Sequence, residues 1–216
     1  MTTSLSHLLD QQLKSEREER KSSRFHVSSA GQCYRKRYWQ RANQPQTNPP
    51  DERGLRIFAV GNLFHEWIQA KLGLMGILIS KEQPVKDEHR SGRIDAVTLQ
   101  DGQYIIYDFK TVHSRKFWYL TKKNETDPQY AHQIVTYLDM LGGQFGNPQL
   151  RILYISKDDL ALEEIVIRPQ DWTRAVQEDW DEMIDYWERG VLPPAESKFG
   201  WECKYCNWRD LCKEAR

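Results

Sequence analysis

The stretch that most constrains this 216-residue chain is Gly92 to Val112, GRIDAVTLQDGQYIIYDFKTV. Two runs rich in β-branched and aromatic residues flank Asp101-Gly102, a dipeptide favoured in two-residue hairpin turns because it tolerates positive φ. With that turn fixed, cross-strand partners sum to 203, so Gln100 faces Gln103 and Asp95 faces Asp108. Directly opposed residues share a face, their Cβ atoms about 4.5–5.5 Å apart. Lys110, two places beyond Asp108, points the same way. Aspartate is a poor strand residue, and two carboxylates about 4 Å apart repel by about 4 kcal/mol at an effective dielectric of roughly 20. A shared proton, the Lys110 ammonium or a divalent cation would offset that repulsion. Carboxylates with open water positions suit a hard ion such as Mg²⁺ or Mn²⁺, and a nearby ammonium would orient water or steady charge developing on a phosphate. Taken alone, the same three residues also describe a salt-bridge cluster on a solvated strand face.

The rest of the chain alternates helical and strand patterns. A helix is expected over residues 4–22, with Leu5, Leu8, Leu9 and Leu13 on one side, and a second through VSSAGQCYRKRYWQ behind Ser28 or Ser29 as its cap. The Pro- and Asn-rich ANQPQTNPPDERG reads as a loop and the best candidate for a mobile segment. From Leu55 to Leu74, the residues Ile57, Phe58, Phe64, Ile68 and Leu72 recur at helical spacing. GILIS reads as a strand, DPQYAHQIVTYLDMLGG as a glycine-terminated helix, and QLRILYISK and ALEEIVIR as two more strands. A long amphipathic helix follows, with Trp172, Val176, Trp180, Ile184 and Trp187 as a core stripe and Gly190 at its end. These elements predict one mixed α/β domain over residues 1–216, its central sheet mainly antiparallel or mixed and flanked by helices. Residues 1–50 form an N-terminal helical segment, 51–190 the core and 191–216 a loop-like tail carrying three cysteines.

Thirty-one basic and 31 acidic residues leave no formal net charge, which removes any global argument for a polyanion partner. Charge is nevertheless uneven: KSSRFH and CYRKRYWQR are basic, VQEDWDEMIDYWE acidic, so a basic face can sit opposite an acidic back. No stretch is long and apolar enough to span a membrane. The first twenty residues lack the apolar core of a secretory signal, so the expected location is cytoplasmic.

In a cytosolic chain the four cysteines point to a metal site before disulfides. CKYCNWRDLC gives C-x2-C-x5-C through Cys203, Cys206 and Cys212, with Cys33 far upstream; this spacing admits structural zinc or an iron–sulfur cluster. Beside Cys33, Arg35, Lys36 and Arg37 are candidates for phosphate contact, and Tyr34 or Trp39 for stacking on an unpaired base. Packing against a ligand site and a solvated charged face are the bland readings of the same segment.

Together, D-x12-D-F-K after a glycine, GNLFHEW upstream and QIVTY downstream resemble the PD-(D/E)xK nuclease superfamily, in particular its RecB-like branch. The resemblance implies a restriction-endonuclease-like core in which His65, Asp95 and Asp108, with the Phe109 carbonyl, ligate Mg²⁺ or Mn²⁺. Lys110 would be the catalytic lysine, and Gln133 and Tyr137 would position it or the substrate phosphate. Asp108 stands where many relatives carry glutamate. Gly61, one turn before His65, is expected to let its helix approach the sheet closely, and Glu66 to face solvent. One N-terminal cysteine plus a C-terminal triplet around such a core resembles the CRISPR-associated RecB-like exonucleases and AddB-type nuclease domains. That implies a 4Fe–4S cluster on Cys33, Cys203, Cys206 and Cys212, joining the two ends of the chain. Closing so long a loop is worth about 4–5 kcal/mol if the constraint acts like a disulfide. The implied activity is a metal-dependent exonuclease on single-stranded DNA ends. Its setting would be CRISPR spacer acquisition with an integrase complex, or end resection in recombination with a helicase. A catalytically idle nucleic-acid-binding scaffold, held by iron–sulfur or zinc, is the competing class.

Overall fold

In the computed structural model, which describes residues 4–17 and 21–215, the Asp101-Gly102 turn forms as its residue types require. Both residues have positive φ, 49° and 79°, the pattern of a type I′ turn. The chain runs α1 (Leu5–Ser15), β1 (Phe25–His26), α2 (Tyr34–Arg41), α3 (Glu52–Leu74), β2 (Leu78–Lys86), β3 (Arg90–Gln100) and β4 (Gln103–Val112). It continues through α4 (Ser114–Lys123), α5 (Pro128–Met140), β5 (Gln149–Ser156), β6 (Leu162–Ile167), α6 (Thr173–Glu188) and α7 (Arg209–Glu214).

The six strands form one mixed sheet in the order β1-β3-β4-β5-β6, with β2 on β3. β2–β3, β3–β4 and β5–β6 are antiparallel, whereas β1–β3 and β4–β5 are parallel. The hairpin keeps the expected register from Gln100↔Gln103 to Ala96↔Tyr107. Beyond that pair β3 and β4 part. β1 pairs with β3 at Arg90 and Ser91, while β4 stays paired with β5 as far as Val112↔Ser156. The gap opens at Asp95 and Asp108, so these acids line a wedge in the sheet rather than close a continuous ladder.

Helices cover both faces. On one, Ile94, Ile106, Ile134, Ile152, Trp180 and Met183 pack α5 and α6 against the strands. On the other, Ile68 of α3 packs with Ala96, Ile105, Tyr107 and Phe109. The tryptophan stripe of α6 is core: Trp180 is buried and donates to Thr136 Oγ1, and Trp172 and Trp187 pack around it.

Several expectations need correction. The first helix occupies Leu5–Ser15 only, and residues 18–20 of its expected span lie outside the described residues. The second helix begins at Tyr34 with Cys33 as its cap, because Gly31 at φ 68° interrupts the chain after a 3₁₀ turn at Val27–Ser29. α4 has no counterpart in the sequence reading; it buries Phe117 and Leu120 and is capped by His113, whose side chain accepts from Arg115 N–H. The tail contains α7 as well as loop. No helix among the described residues is long and apolar enough to cross a membrane.

Candidate active site

The wedge gathers groups from β3, β4, α3 and α5. Asp108, 1% exposed, sits on β4 with Lys110 two residues on, and Lys110 Nζ lies 2.7 Å from Asp108 Oδ2. Gln133 of α5 bridges them: its Nε2 donates to Asp108 Oδ1 at 2.8 Å and its Oε1 accepts from Lys110 Nζ at 3.2 Å. The same Nε2 lies 3.2 Å from the hydroxyl of Tyr137, one turn along α5. Tyr137 is held in turn by Gly92 of β3, where a Cβ would come within 2.7 Å of the tyrosine ring. Gly61, by contrast, would place a Cβ 3.6 Å from Thr111 Oγ1, an ordinary contact. The glycine that close packing requires is therefore Gly92, not Gly61.

Asp95 closes the other side. Its Oδ2 accepts the Phe109 N–H at 2.7 Å, replacing the main-chain bond lost where the strands part. Its Oδ1 lies 3.6 Å from His65 Nδ1 on α3, and the His65 ring meets Phe109 edge-on at 5.4 Å. Glu66 is exposed. The donor set fits a divalent cation: ligand atoms of His65, Asp95 and Glu82 all lie within 4.8 Å of one another. Asp108 stands beside this trio, its two oxygens turned to Gln133 and Lys110.

Glu82 and Gln69 escaped the sequence reading. Gln83 pairs with Ile94 and Lys81 with Ala96, which sets Glu82 across β2 from Asp95. Gln69 Nε2 reaches both the Glu82 carboxylate at 3.0 Å and the Asp95 carbonyl at 2.9 Å. Its position four residues after His65, on the same helix face, was the available signal. Glu82 carries none, because the apolar pattern of the strand ends with GILIS and KEQP has no periodicity that sets a register.

Electrostatics match the geometry. Burial, opposed in part by Lys110 and reinforced by Asp95, pushes the Asp108 carboxyl up to about 6. Burial alone would lower Lys110, but the carboxylates of Asp108 and Asp95 outweigh it and hold the lysine above its ordinary range. Burial likewise opposes charge on His65, and the hydrogen-bonded Asp95 carboxylate overcomes it to raise the imidazole. Below about pH 6 the metal-free site therefore holds protons that an incoming cation must displace. Lys110 is an ammonium there, suited to stabilising negative charge rather than to accepting a proton. His65, Glu82, Asp95 and Lys110 open on a cavity of about 930 Å³ that Tyr130, Gln133 and Tyr137 also line.

The four cysteines line a separate cavity of about 310 Å³. Glu202, buried, draws the tail to α2 by accepting from Cys33 N–H at 2.8 Å while its other oxygen accepts from Lys198 and Phe199 N–H. The basic segment beside Cys33 points inward, against expectation. Arg37 is buried, pairs with Asp179 at 2.7 Å and stacks 4.2 Å from the Trp180 ring. Arg35 donates to the Pro193 carbonyl, and the Tyr34 hydroxyl to Glu182. Arg37 and Tyr34 thereby hold α2 to α6, and Arg35 holds it to the tail.

A family model described as the PD-(D/E)XK nuclease superfamily matches residues 80–213. Among solved structures, the crystal structure of SSO0001 is similar at TM-score 0.57 and 18% identity, covering 97% of this chain and 94% of that one. An alkaline exonuclease, LHK-Exo from Laribacter hongkongensis, is similar at TM-score 0.52 and 11% identity, covering 79% of this chain and 90% of that one. The same exonuclease in complex with dAMP gives TM-score 0.51 at 12% identity, covering 78% and 89%. No curated protein matches the sequence.

Proposed function

The chain belongs to the PD-(D/E)XK nuclease superfamily, and on that premise we propose that it is a divalent-metal-dependent DNA exonuclease acting on single-stranded ends. The observation that carries this reading is the Asp108–Lys110–Gln133 triangle, facing a His65–Asp95–Glu82 donor set across one wedge. A solvated salt-bridge cluster would not be buried, nor would it spend a helix glutamine on fixing both ends of its ion pair.

His65, Asp95, Asp108 and the Phe109 carbonyl would hold Mg²⁺ or Mn²⁺, with Glu82 added to the set. Such an ion would supply Lewis-acid stabilisation of a phosphoryl oxygen and make nearby water more acidic. Asp95 is pinned by the Phe109 N–H, which keeps its carboxylate aimed into the wedge. Lys110 directs an ammonium at the phosphate and steadies the charge that develops during in-line attack by water. Gln133 fixes the Lys110 rotamer, and Tyr137 fixes Gln133. No covalent enzyme intermediate is required.

We further assign Cys33, Cys203, Cys206 and Cys212 to a 4Fe–4S cluster. What supports it is the frame itself: one N-terminal cysteine and a C-terminal triplet around a nuclease core, all four facing one cavity. The cysteine frame supports membership of the CRISPR-associated RecB-like exonucleases, trimming DNA for an integrase complex in the cytoplasm. The test is anaerobic incubation of end-labelled single- and double-stranded DNA with purified protein and Mn²⁺. Trimming of single-stranded ends that halts at duplex supports the proposal, and extensive resection into duplex moves it to recombination. No cleavage of any substrate favours an idle scaffold. Visible absorbance lost on reduction supports iron–sulfur, whereas a colourless protein with stoichiometric zinc refutes it.

A further inference from the structure

The helical periodicity of α3 assigns Ile57 and Phe58 to the core along with Phe64, Ile68 and Leu72, yet the first two lie outside it. Ile57 is 39% and Phe58 58% exposed. Both line the active-site cavity, and both also line a second cavity of about 530 Å³ bounded by Arg53, Lys204, Tyr205 and Arg209. One groove therefore leads from the wedge, past Phe58, to the cysteine-bearing tail. Tyr205 at its far end is 65% exposed, and Lys204 lies 5.5 Å from the Tyr205 ring centre.

The charge of this second stretch is one-sided. Arg53 and Lys204 make no ion pair among the described residues, and Arg209 holds only a loose 3.4 Å contact with Asp210. Among the described residues the single lining carboxylate is Asp51, engaged as the cap of α3 by Gly54 N–H at 2.7 Å. Resting on the nuclease reading above, we propose that this groove is the track for the uncleaved part of a single-stranded DNA substrate. Unpaired bases stack on Phe58 and Tyr205, and phosphates meet Arg53, Lys204 and Arg209. A duplex does not fit these roles, since its bases present no free faces to the two rings, whereas base–aromatic stacking with flanking cations is how sequence-tolerant single-strand sites are built. Cys206 and Arg209 line this groove and the cysteine cavity alike, so the two cavities adjoin.

The test is fluorescence anisotropy of labelled oligothymidylates of about 4 and about 16 nucleotides, with Ca²⁺ replacing the catalytic ion. We expect Phe58→Ala and Tyr205→Ala each to weaken the longer oligonucleotide about 10-fold, with Phe58→Trp and Tyr205→Phe restoring it. The combined Arg53→Gln, Lys204→Gln and Arg209→Gln variant should flatten the salt dependence of log Kd by about 2, because each single-strand phosphate contact contributes about 0.7. A misfolded protein would lose affinity without this selective change in slope, and thermal melting identifies it. Wild-type affinity and salt slope in these variants, in a protein that binds and cuts DNA, would overturn the track and leave the nuclease reading intact. Absence of binding and cleavage for every oligonucleotide would overturn both.

Discussion

Asp95 Oδ2 accepts the Phe109 N–H at 2.7 Å at the point where β3 and β4 stop pairing. One carboxylate thus substitutes for main chain with one oxygen and offers the other to the cation site. The two roles are separable. Asp95→Asn keeps an acceptor for the N–H and removes the charge; Asp95→Ala leaves a buried donor unpaired, at a cost of about 1–3 kcal/mol. We expect the asparagine variant to melt near the wild type and to lose Mn²⁺ binding by electron paramagnetic resonance, and the alanine variant to lose both. Unchanged Mn²⁺ affinity in Asp95→Asn would remove Asp95 from the ligand set.

The buried pair of Asp108 and Lys110 sets a pH dependence. Asp108 is raised in the fold, so its contribution is fully present below its unfolded pKa of about 4 and is lost as pH rises through about 6. Lys110 opposes that rise, so metal-free Lys110→Met should carry a still higher Asp108 pKa. Melting curves should therefore show a small deficit for the variant at about pH 4.5 and a wider one at about pH 7.5. A deficit independent of pH would mean that the ammonium does not hold the carboxylate.

Cation binding should be linked to protons in the same way. Asp108, and His65 with its pKa raised by Asp95, both retain protons at about pH 5. A saturating Mn²⁺ addition is expected to raise the melting temperature more at about pH 7.5 than at about pH 5, since affinity for the folded state is what shifts the midpoint. Equal shifts at the two pH values would place the bound ion elsewhere.

Gly92 and Gly61 should respond oppositely to a methyl group. In Gly92→Ala the new Cβ meets the Tyr137 ring at 2.7 Å and Val27 Cβ at 3.0 Å, so we expect about 1–3 kcal/mol of destabilisation together with displacement of Tyr137. In Gly61→Ala the nearest neighbour is 3.6 Å away, and the gain in helix propensity makes the change neutral or stabilising by up to about 1 kcal/mol. Thermal melts of the two variants side by side settle the comparison.

These residues also mark what could be read from sequence. The Asp-Gly turn fixed five hairpin pairs by counting. Counting alone could not say that the ladder would stop at Ala96↔Tyr107, because period-2 arithmetic assumes that strands stay paired. Gln133 and Tyr137 were legible through their spacing on α5 together with the family pattern. Glu82 was not, since its approach to Asp95 depends on a strand whose polar half carries no periodic signal. Arg37 was misassigned for a long-range reason: its partner Asp179 lies 142 residues away, and a basic run looks the same whether it faces solvent or a buried acid. Ile57 and Phe58 follow helical spacing but line a groove, a distinction only the packed neighbours make.

The most direct test compares single-turnover cleavage of end-labelled single-stranded DNA by wild-type protein and Lys110→Ala, each with Mn²⁺ and with EDTA. We expect cleavage by the wild type with Mn²⁺, none with EDTA, and none by Lys110→Ala although it still binds Mn²⁺ and folds. Undiminished cleavage by Lys110→Ala, or by the wild type in EDTA, would contradict a metal- and lysine-dependent active site in the wedge.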